Sequence, residues 1–157
     1  MKILMVCLGN ICRSPLAEGI LQQKAERAGL GWHVDSAGTN GYHTGEPPHH
    51  LSIKVAKENG IDISKQRSRK FTAADFDNYD IIYAMAADVL ADIKQISRHQ
   101  FDATKVDLFL NELYPGQDRE VPDPWYGPEP GYHEVFAIID EACSSIVKKY
   151  SNQTINE

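Results

Sequence analysis

The chain has 157 residues, of which 42% are hydrophobic and 24% charged, and its formal net charge is −6. This length and composition are typical of one globular domain with a substantial core, and the acidic balance argues against general nucleic-acid binding. No apolar run approaches the roughly 18 residues that a membrane span requires, and the N-terminal apolar run is too short for a signal peptide. We therefore expect one cytoplasmic domain over residues 1–150, followed by a flexible tail over 151–157.

Hydrophobic periodicity predicts strands and helices in alternation. In chain order it predicts a strand over 2–6, a helix over 16–29, a strand over 32–36, helices over 49–58 and 71–76, a strand over 80–85, a helix over 87–96, a strand over 106–110 and a helix over 129–149. This alternation predicts an α/β fold of three layers, with a four-stranded parallel sheet and helices on both faces. Ligands of such sheets bind at the carboxyl ends of the strands.

The end of the first predicted strand carries the most informative segment, Cys7-Leu8-Gly9-Asn10-Ile11-Cys12-Arg13, followed by Ser14 and Pro15. A loop between a strand and a helix N-terminus directs backbone N–H groups at an anion. A thiol and a guanidinium in that loop predict attack by sulfur on a bound phosphate. Gly9 can adopt the positive φ that the curl requires, and Asn10 tolerates the same region and can hydrogen-bond locally. We expect Ser14 either to bind the sulfur or to cap the helix. The alternative for Cys7 is an unreactive buried cysteine.

Asp123 is the candidate proton donor for a leaving group. It lies in the segment Val121-Pro-Asp-Pro-Trp-Tyr-Gly-Pro128, whose prolines exclude a helix and stiffen a loop. Asp118 and Glu120 are nearby competitors for the same role. From the residues alone, an ordinary Asp-Pro surface turn remains the alternative.

Both segments together resemble a known family. Residues 6–15 resemble the phosphate-binding loop of the low-molecular-weight protein tyrosine phosphatases, and Asp123-Pro124-Trp125-Tyr126-Gly127 resembles the general-acid loop of that family. The resemblance extends from residue 2 to about residue 149. It implies a metal-independent phosphotyrosine-protein phosphatase without a cofactor, which hydrolyses aryl phosphate monoesters through a cysteinyl-phosphate intermediate.

The resemblance also implies a set of site residues. Cys7 is expected to be the nucleophile, Arg13 to stabilise the transferred group, and Asp123 to act as acid and then as base. The expected phosphate-binding residues are Leu8, Gly9, Asn10, Ile11, Cys12, Arg13 and Ser14; the supporting hydrogen-bond network is Asn10, Ser14 and Ser36; and the cleft walls are Tyr42, Trp125 and Tyr126. Tall aromatic walls favour a long phosphotyrosine over a short phosphoserine, unless these rings only cover the core.

The sequence departs from the family at two positions. Trp125 stands where relatives commonly have Tyr, and Gln66 stands where many have His, so the outer contact made by that His is not expected here. Arg69 matches a family arginine, with a plain surface charge as the alternative.

Three cysteines, Cys7, Cys12 and Cys143, form no even disulfide framework and suit a reducing compartment. Relatives that carry the first two imply a protective Cys7–Cys12 disulfide, with a loop-packing role for Cys12 as the alternative. Cys143 lies on an apolar helical face and is expected in the core. The six histidines have no metal-binding spacing, so no metal site is predicted.

Three rival functions remain open. An arsenate reductase of the same fold needs further cysteines in mid-chain, which are absent between Cys12 and Cys143. A protein-arginine phosphatase of the family carries Thr at the position where this chain has Ile11, which disfavours that function. A non-catalytic phosphate-binding module needs neither a thiol nor an acid, so the presence of Cys7, Arg13 and Asp123 argues against it. The expected partners are phosphotyrosine proteins or peptides, with inorganic phosphate as product, no nucleic acid and no membrane, and we expect a monomer or weak dimer.

Overall fold

The computed structural model describes residues 1–156, with side chains through Ser151. Its four strands are parallel and lie in the order β2-β1-β3-β4. The strands are β1 (Lys2–Cys7), β2 (His33–Gly38), β3 (Ile81–Ala84) and β4 (Val106–Leu108). The helices are α1 (Arg13–Arg27), α2 (His50–Glu58), α3 (Asp75–Asn78), α4 (Ala87–Ser97) and α5 (Glu129–Asn156). The predicted fold class is confirmed.

Alternation along β1 divides the interior into two layers. Ile3 and Met5 belong to a core shared with α1, α2 and α5, whereas Leu4 and Val6 belong to a core shared with α3 and α4. Such a continuous apolar strand is expected where both faces of a parallel sheet are covered. No helix of residues 1–156 is long and apolar enough to cross a bilayer.

The central position of β1 places its last residue, Cys7, at the carboxyl edge of the sheet. The chain then curls through residues 8–12 and enters α1 at Arg13. The curl passes close over Gly38, the last residue of β2, where an added Cβ would lie only 2.9 Å from the carbonyl carbon of Gly9 and the oxygen of Leu8. A side chain at position 38 would therefore push the loop away.

Several element boundaries differ from the prediction, and α1 begins at Arg13 rather than at residue 16. The helix predicted over 71–76 is only Asp75–Asn78, because the backbone N–H of Phe71 donates to the oxygen of Gly38 and holds that residue beside the sheet. The strand predicted over 106–110 ends at Leu108 and continues as a 3₁₀ turn, Phe109–Glu112. Helix α5 runs to Asn156 rather than Lys149. The flexible tail predicted over 151–157 lies mostly outside the described side chains and stays a prediction.

Candidate active site

Cys7 lies at the base of the loop, with only 3% of its surface exposed. The backbone N–H of Asn10 donates to its Sγ at 3.2 Å, and the hydroxyl of Ser14 lies 3.0 Å from the same atom. The cap position of α1 is Cys12, whose side chain makes no capping hydrogen bond. Of the two roles considered for Ser14, the structure shows the contact with sulfur. Both contacts bring a potential hydrogen-bond donor to the sulfur.

The loop in front of this sulfur is a cradle of free donors. Within the described part of the chain, the backbone N–H groups of Leu8, Gly9, Ile11 and Cys12 donate to no acceptor. The N-terminus of α1, a helix of 15 residues, adds its positive dipole end at the same place. An anion bound here would receive several backbone hydrogen bonds directly above Cys7.

Asn10 holds the curl in shape. It has φ = 58°, whereas Gly9 is not among the residues with positive φ, so of the two residues that the sequence offers for this conformation it is Asn10 that adopts it. Asparagine accepts the left-handed region better than most residues. Its Nδ2 donates to Ser14 Oγ at 2.8 Å and to Ser36 Oγ at 2.9 Å, and its Oδ1 accepts the backbone N–H of Arg69 at 3.1 Å.

The two bonds donated by Asn10 determine which groups donate and which accept in the rest of the hydrogen-bond network. Ser14 Oγ accepts a hydrogen from Asn10, which leaves its own proton available for the sulfur of Cys7. Ser36 likewise accepts from Asn10 and donates to Glu18 Oε1 at 2.7 Å. The network expected from the sequence is therefore longer than Asn10, Ser14 and Ser36. Glu18 was missed, although its place four residues after Ser14 on α1 puts both on one helix face.

Burial raises the pKa of Glu18 from its ordinary 4.5 to about 7, with a smaller upward contribution from Asp35, while the Ser36 hydrogen bond opposes the shift. The carboxyl group therefore carries its proton in part at neutral pH. The Ser36 hydrogen bond stabilises the carboxylate form of Glu18, but burial makes that charged form energetically costly.

Replacing Glu18 with glutamine is expected to remove a pH-dependent loss of stability. Because the pKa of this carboxyl is near 4.5 in the unfolded chain and about 7 in the folded one, the folded state binds more protons between those values. Stability attributable to Glu18 therefore falls as the pH rises, by on the order of 3 kcal/mol in total. Urea unfolding of both proteins at pH 5 and pH 8 measures the difference. If the free energy of unfolding depended on pH in the same way in wild type and in Glu18→Gln, the expectation would be contradicted.

Arg13 and Asp123 meet at the mouth of the loop. Arg13 is 5% exposed, and its Nη1 donates to the oxygen of Val121 at 3.1 Å. Its Nη2 lies 3.6 Å from Asp123 Oδ2, and Asp123 Oδ1 accepts the backbone N–H of Trp125 at 3.1 Å. A residue 110 positions away in sequence is thus brought to the guanidinium that the loop presents.

The two competing acids are engaged elsewhere. Asp118 binds Asn111 through both its side chain and its backbone N–H. Glu120 accepts the backbone N–H of Ala87 at the start of α4. Neither lines the cavity above Cys7, whereas Asp123 does.

That cavity has a volume of about 220 Å³. Its walls include the three predicted aromatic residues, Tyr42, Trp125 and Tyr126. Tyr42 is 85% and Tyr126 95% exposed, so they stand at the rim, whereas Trp125 is more sheltered at 36%. The alternative that these rings cover the core therefore does not hold.

Two histidines that the sequence did not single out contact the indole of Trp125. The ring centroid of His43 lies 5.5 Å from that of Trp125, and that of His49 lies 5.3 Å away. Their only signal in the sequence is position, since both lie in the long segment between β2 and α2 near Tyr42.

Arg69 and Gln66 also have defined contacts. Arg69 forms a two-pronged ion pair with Asp75, at 3.1 and 2.9 Å, so it is not a plain surface charge. Its backbone N–H is the donor to Asn10, and the ion pair thereby fixes the segment that supports the loop. Gln66 Nε2 donates to the oxygen of Pro15 at 3.1 Å, in the first turn of α1.

All three cysteines are free. The Cys12 sulfur lies 3.7 Å from the hydroxyl of Tyr132, and burial raises the pKa of Cys12 to about 12. Cys143 is fully buried, as predicted for a core residue. Among the residues that the structure describes, no group of three or more His, Cys, Asp or Glu side chains is arranged to hold a metal ion.

A thiol beneath an anion cradle, with a carboxylate across its mouth, suits the class of phosphatases that work through cysteine. The family model described as low molecular weight phosphotyrosine protein phosphatase matches residues 2–156. The chain belongs to this family. It is therefore a protein-tyrosine phosphatase, a hydrolase that works by the cysteine-based mechanism of the family.

Individual relatives cover nearly the whole chain. The low molecular weight phosphotyrosine protein phosphatase of Schizosaccharomyces pombe is 37% identical and covers 94% of this chain and 95% of its own. A protein tyrosine phosphatase structure from Entamoeba histolytica, with Hepes in the active site, has a TM-score of 0.89 at 35% identity and covers 98% of this chain and 99% of its own. A structure of the arginine phosphatase YwlE with a phosphorylated active-site serine has a TM-score of 0.86 at 28% identity, with 96% of each chain covered.

Proposed function

We propose that Cys7 is the nucleophile, that Arg13 binds the transferred phosphoryl group, and that Asp123 is the general acid and base. The observation that carries the proposal is the position of the Cys7 sulfur, which is held by Asn10 and Ser14 beneath a ring of free N–H donors. A thiolate in that position faces the phosphorus of any phosphate that the cradle binds.

In the first step, the thiolate forms a bond to phosphorus as the bond to the aryl oxygen breaks, and Asp123 gives its proton to the departing phenolate. The three remaining phosphate oxygens are held by the loop N–H groups and the Arg13 guanidinium, which can grip two of them. In the second step, Asp123 takes a proton from water, which attacks phosphorus. The sulfur–phosphorus bond breaks, and thiolate and inorganic phosphate are released.

The substrates in this proposal are phosphotyrosine proteins or peptides. The sulfur is buried, whereas Tyr42 and Tyr126 stand exposed at the rim, so a substrate must reach down past the aromatic walls. A phosphotyrosine spans that depth and can stack on the walls, whereas phosphoserine is shorter by an aromatic ring. The proposal takes the enzyme to work in the cytoplasm, where its thiols stay reduced, as a monomer or weak dimer.

The test is hydrolysis of three peptides of one sequence that carry phosphotyrosine, phosphoserine or phosphoarginine, in the presence of a chelator. We expect phosphotyrosine to be preferred over phosphoserine by roughly 10²-fold or more in kcat/KM, because only the longer residue places its phosphorus in line with sulfur. The likeness to an arginine phosphatase makes phosphoarginine the informative rival. Faster cleavage of that peptide would overturn the phosphotyrosine assignment.

We also propose that Cys12 protects Cys7 from over-oxidation. Peroxide converts the Cys7 thiolate to a sulfenic acid, and Cys12 then displaces water to form a disulfide. Because burial raises the pKa of Cys12 to about 12, this capture should accelerate as the pH rises. After a peroxide pulse, wild type should regain most of its activity with a thiol reductant, whereas Cys12→Ala should regain only a minor fraction. Equal recovery in both proteins would contradict the protective role.

A further inference from the structure

We propose that His43 and His49 form a clamp on the indole of Trp125 and that this clamp positions the general-acid loop over Cys7. The acid loop is the segment 122–128. The proposal depends on the assignment of Asp123 as the general acid, and it adds two positioning residues that do not themselves touch the reacting atoms.

The acid loop has few other anchors. Three of its seven residues are prolines and have no N–H to donate. Its backbone N–H groups bind only within the loop, from Trp125 to the Asp123 carboxylate and from Gly127 to the oxygen of Pro124. Among the described residues, its polar contacts with other elements are the 3.6 Å ion pair between Arg13 and Asp123 and, at its last residue, the 3.1 Å bond from the Gly131 N–H of α5 to the oxygen of Pro128. Because the backbone of the loop is bonded to its surroundings only at Pro128, the part around Asp123 depends on side-chain contacts.

The Trp125 ring supplies that packing. The His43 ring meets it at an angle of 55° and the His49 ring at 75°, with centroid distances of 5.5 and 5.3 Å. These separations and angles are those of tilted and edge-to-face aromatic pairs. His43 precedes α2 by several residues, and His49 caps α2, so the indole is held against the segment that leads into that helix.

Both histidine rings are themselves fixed from behind. His43 Nδ1 lies 2.6 Å from Glu46 Oε2. His49 Nδ1 accepts the backbone N–H of Leu51 at 3.1 Å, and its ring stacks on Tyr132 at 5.2 Å. Burial lowers the pKa of His49, as does the charge on His50, which favours the neutral ring that the Leu51 bond requires. The clamp therefore has a rigid base rather than two mobile side chains.

The clamp connects to catalysis through one hydrogen bond. The backbone N–H of Trp125 donates to Asp123 Oδ1, so movement of the indole shifts the amide that orients the carboxylate. Loosening the clamp should misplace the proton donor while leaving Cys7, Arg13 and the phosphate cradle unchanged. The loss of activity in variants of His43 or His49 should therefore depend on the leaving group in the same way as the loss caused by replacing Asp123, but it should be smaller.

The experiment measures kcat/KM for a series of aryl phosphates of increasing leaving-group pKa. Good leaving groups need little help from an acid, and poor ones need a well-placed proton. For His49→Ala and His43→Ala we expect a loss of about 2-fold with the best leaving group, which grows to about 20-fold with the poorest. Inhibition by inorganic phosphate should not change. His99→Ala, an exposed histidine outside the site, is the matched control and should behave as wild type.

Two further variants separate the clamp from helix capping. His49→Phe keeps a ring against Trp125 and loses the cap, whereas His49→Asn keeps a capping acceptor and loses the ring. The clamp predicts that Phe restores the leaving-group profile and that Asn does not. Rescue by Asn alone, or a loss that is uniform across the series, would overturn it.

Asp123→Asn, measured in the same series, separates this proposal from the assignment of the acid. If the loss in kcat/KM grows with leaving-group pKa for Asp123→Asn but is constant for the histidine variants, the clamp alone is refuted. A flat profile for Asp123→Asn would refute the acid assignment itself, and the clamp with it.

Discussion

Cys7→Ser is expected to abolish turnover while leaving phosphate binding nearly intact. Serine fits the space of Cys7 and can keep the contacts with Asn10 and Ser14, so the cradle should hold its shape. The hydroxyl group ionises far less readily than a thiol and is a much weaker nucleophile. We expect kcat to fall by roughly 10⁴-fold or more, as for other enzymes that lose their nucleophile. Aryl phosphate hydrolysis and calorimetric titration with inorganic phosphate measure the two quantities.

Cys143→Ala is the control for this experiment, because Cys143 is a second buried cysteine that lies in the core away from the loop. It should retain wild-type kcat. If Cys7→Ser retained substantial activity, the nucleophile would have to be another group. If it lost phosphate binding together with turnover, the loss could not be ascribed to the nucleophile.

Asp123→Asn is expected to reduce kcat by roughly 10²–10⁴-fold, the usual contribution of a general acid. Asparagine keeps the size of the side chain and an oxygen for the Trp125 N–H, but it has no proton to give. It also removes the ion pair with Arg13, so the affinity for inorganic phosphate should stay equal or increase. The loss in kcat/KM should be smallest for substrates with good leaving groups.

The two nearby acids provide matched controls. Asp118→Asn and Glu120→Gln change the same chemical group close in sequence, but their carboxylates bind Asn111 and the N–H of Ala87 rather than facing the cavity. Both should stay within a few-fold of wild type. If Asp123→Asn lowered kcat/KM equally for all leaving groups, or if either control lost more activity than Asp123→Asn, then Asp123 would not be the proton donor.

Local patterns predicted the fold because its elements are short and strongly patterned. The apolar run of β1 and the periodicity of α1 each contain enough information in a few residues to define their element. Residues 71–76 could not be predicted in this way. Their capping pattern favours a helix, but the pairing of Phe71 with Gly38 depends on a strand more than 30 residues earlier. Tertiary contacts of this kind override local propensity.

The residues of the site likewise divide into those visible in a local stretch of sequence and those brought in by tertiary contacts. The loop from Cys7 to Arg13 is contiguous, so its chemistry is visible in one stretch of sequence. Glu18 enters the site only through a hydrogen bond to Ser36, and its raised pKa depends on burial, which the sequence does not display. His43 and His49 contact Trp125 only because the segment 122–128 folds against them, across more than 70 residues of chain.

The most direct test of the account is to trap the covalent intermediate. Wild type and Asp123→Asn are mixed with an aryl phosphate and quenched within milliseconds to seconds, and the peptide that contains Cys7 is examined by mass spectrometry for a phosphate on sulfur. We expect a phosphocysteine at Cys7, which forms and decays at rates consistent with turnover and is absent from Cys7→Ala. Turnover without such an adduct at any quench time, or phosphate bound to a different side chain, would contradict it.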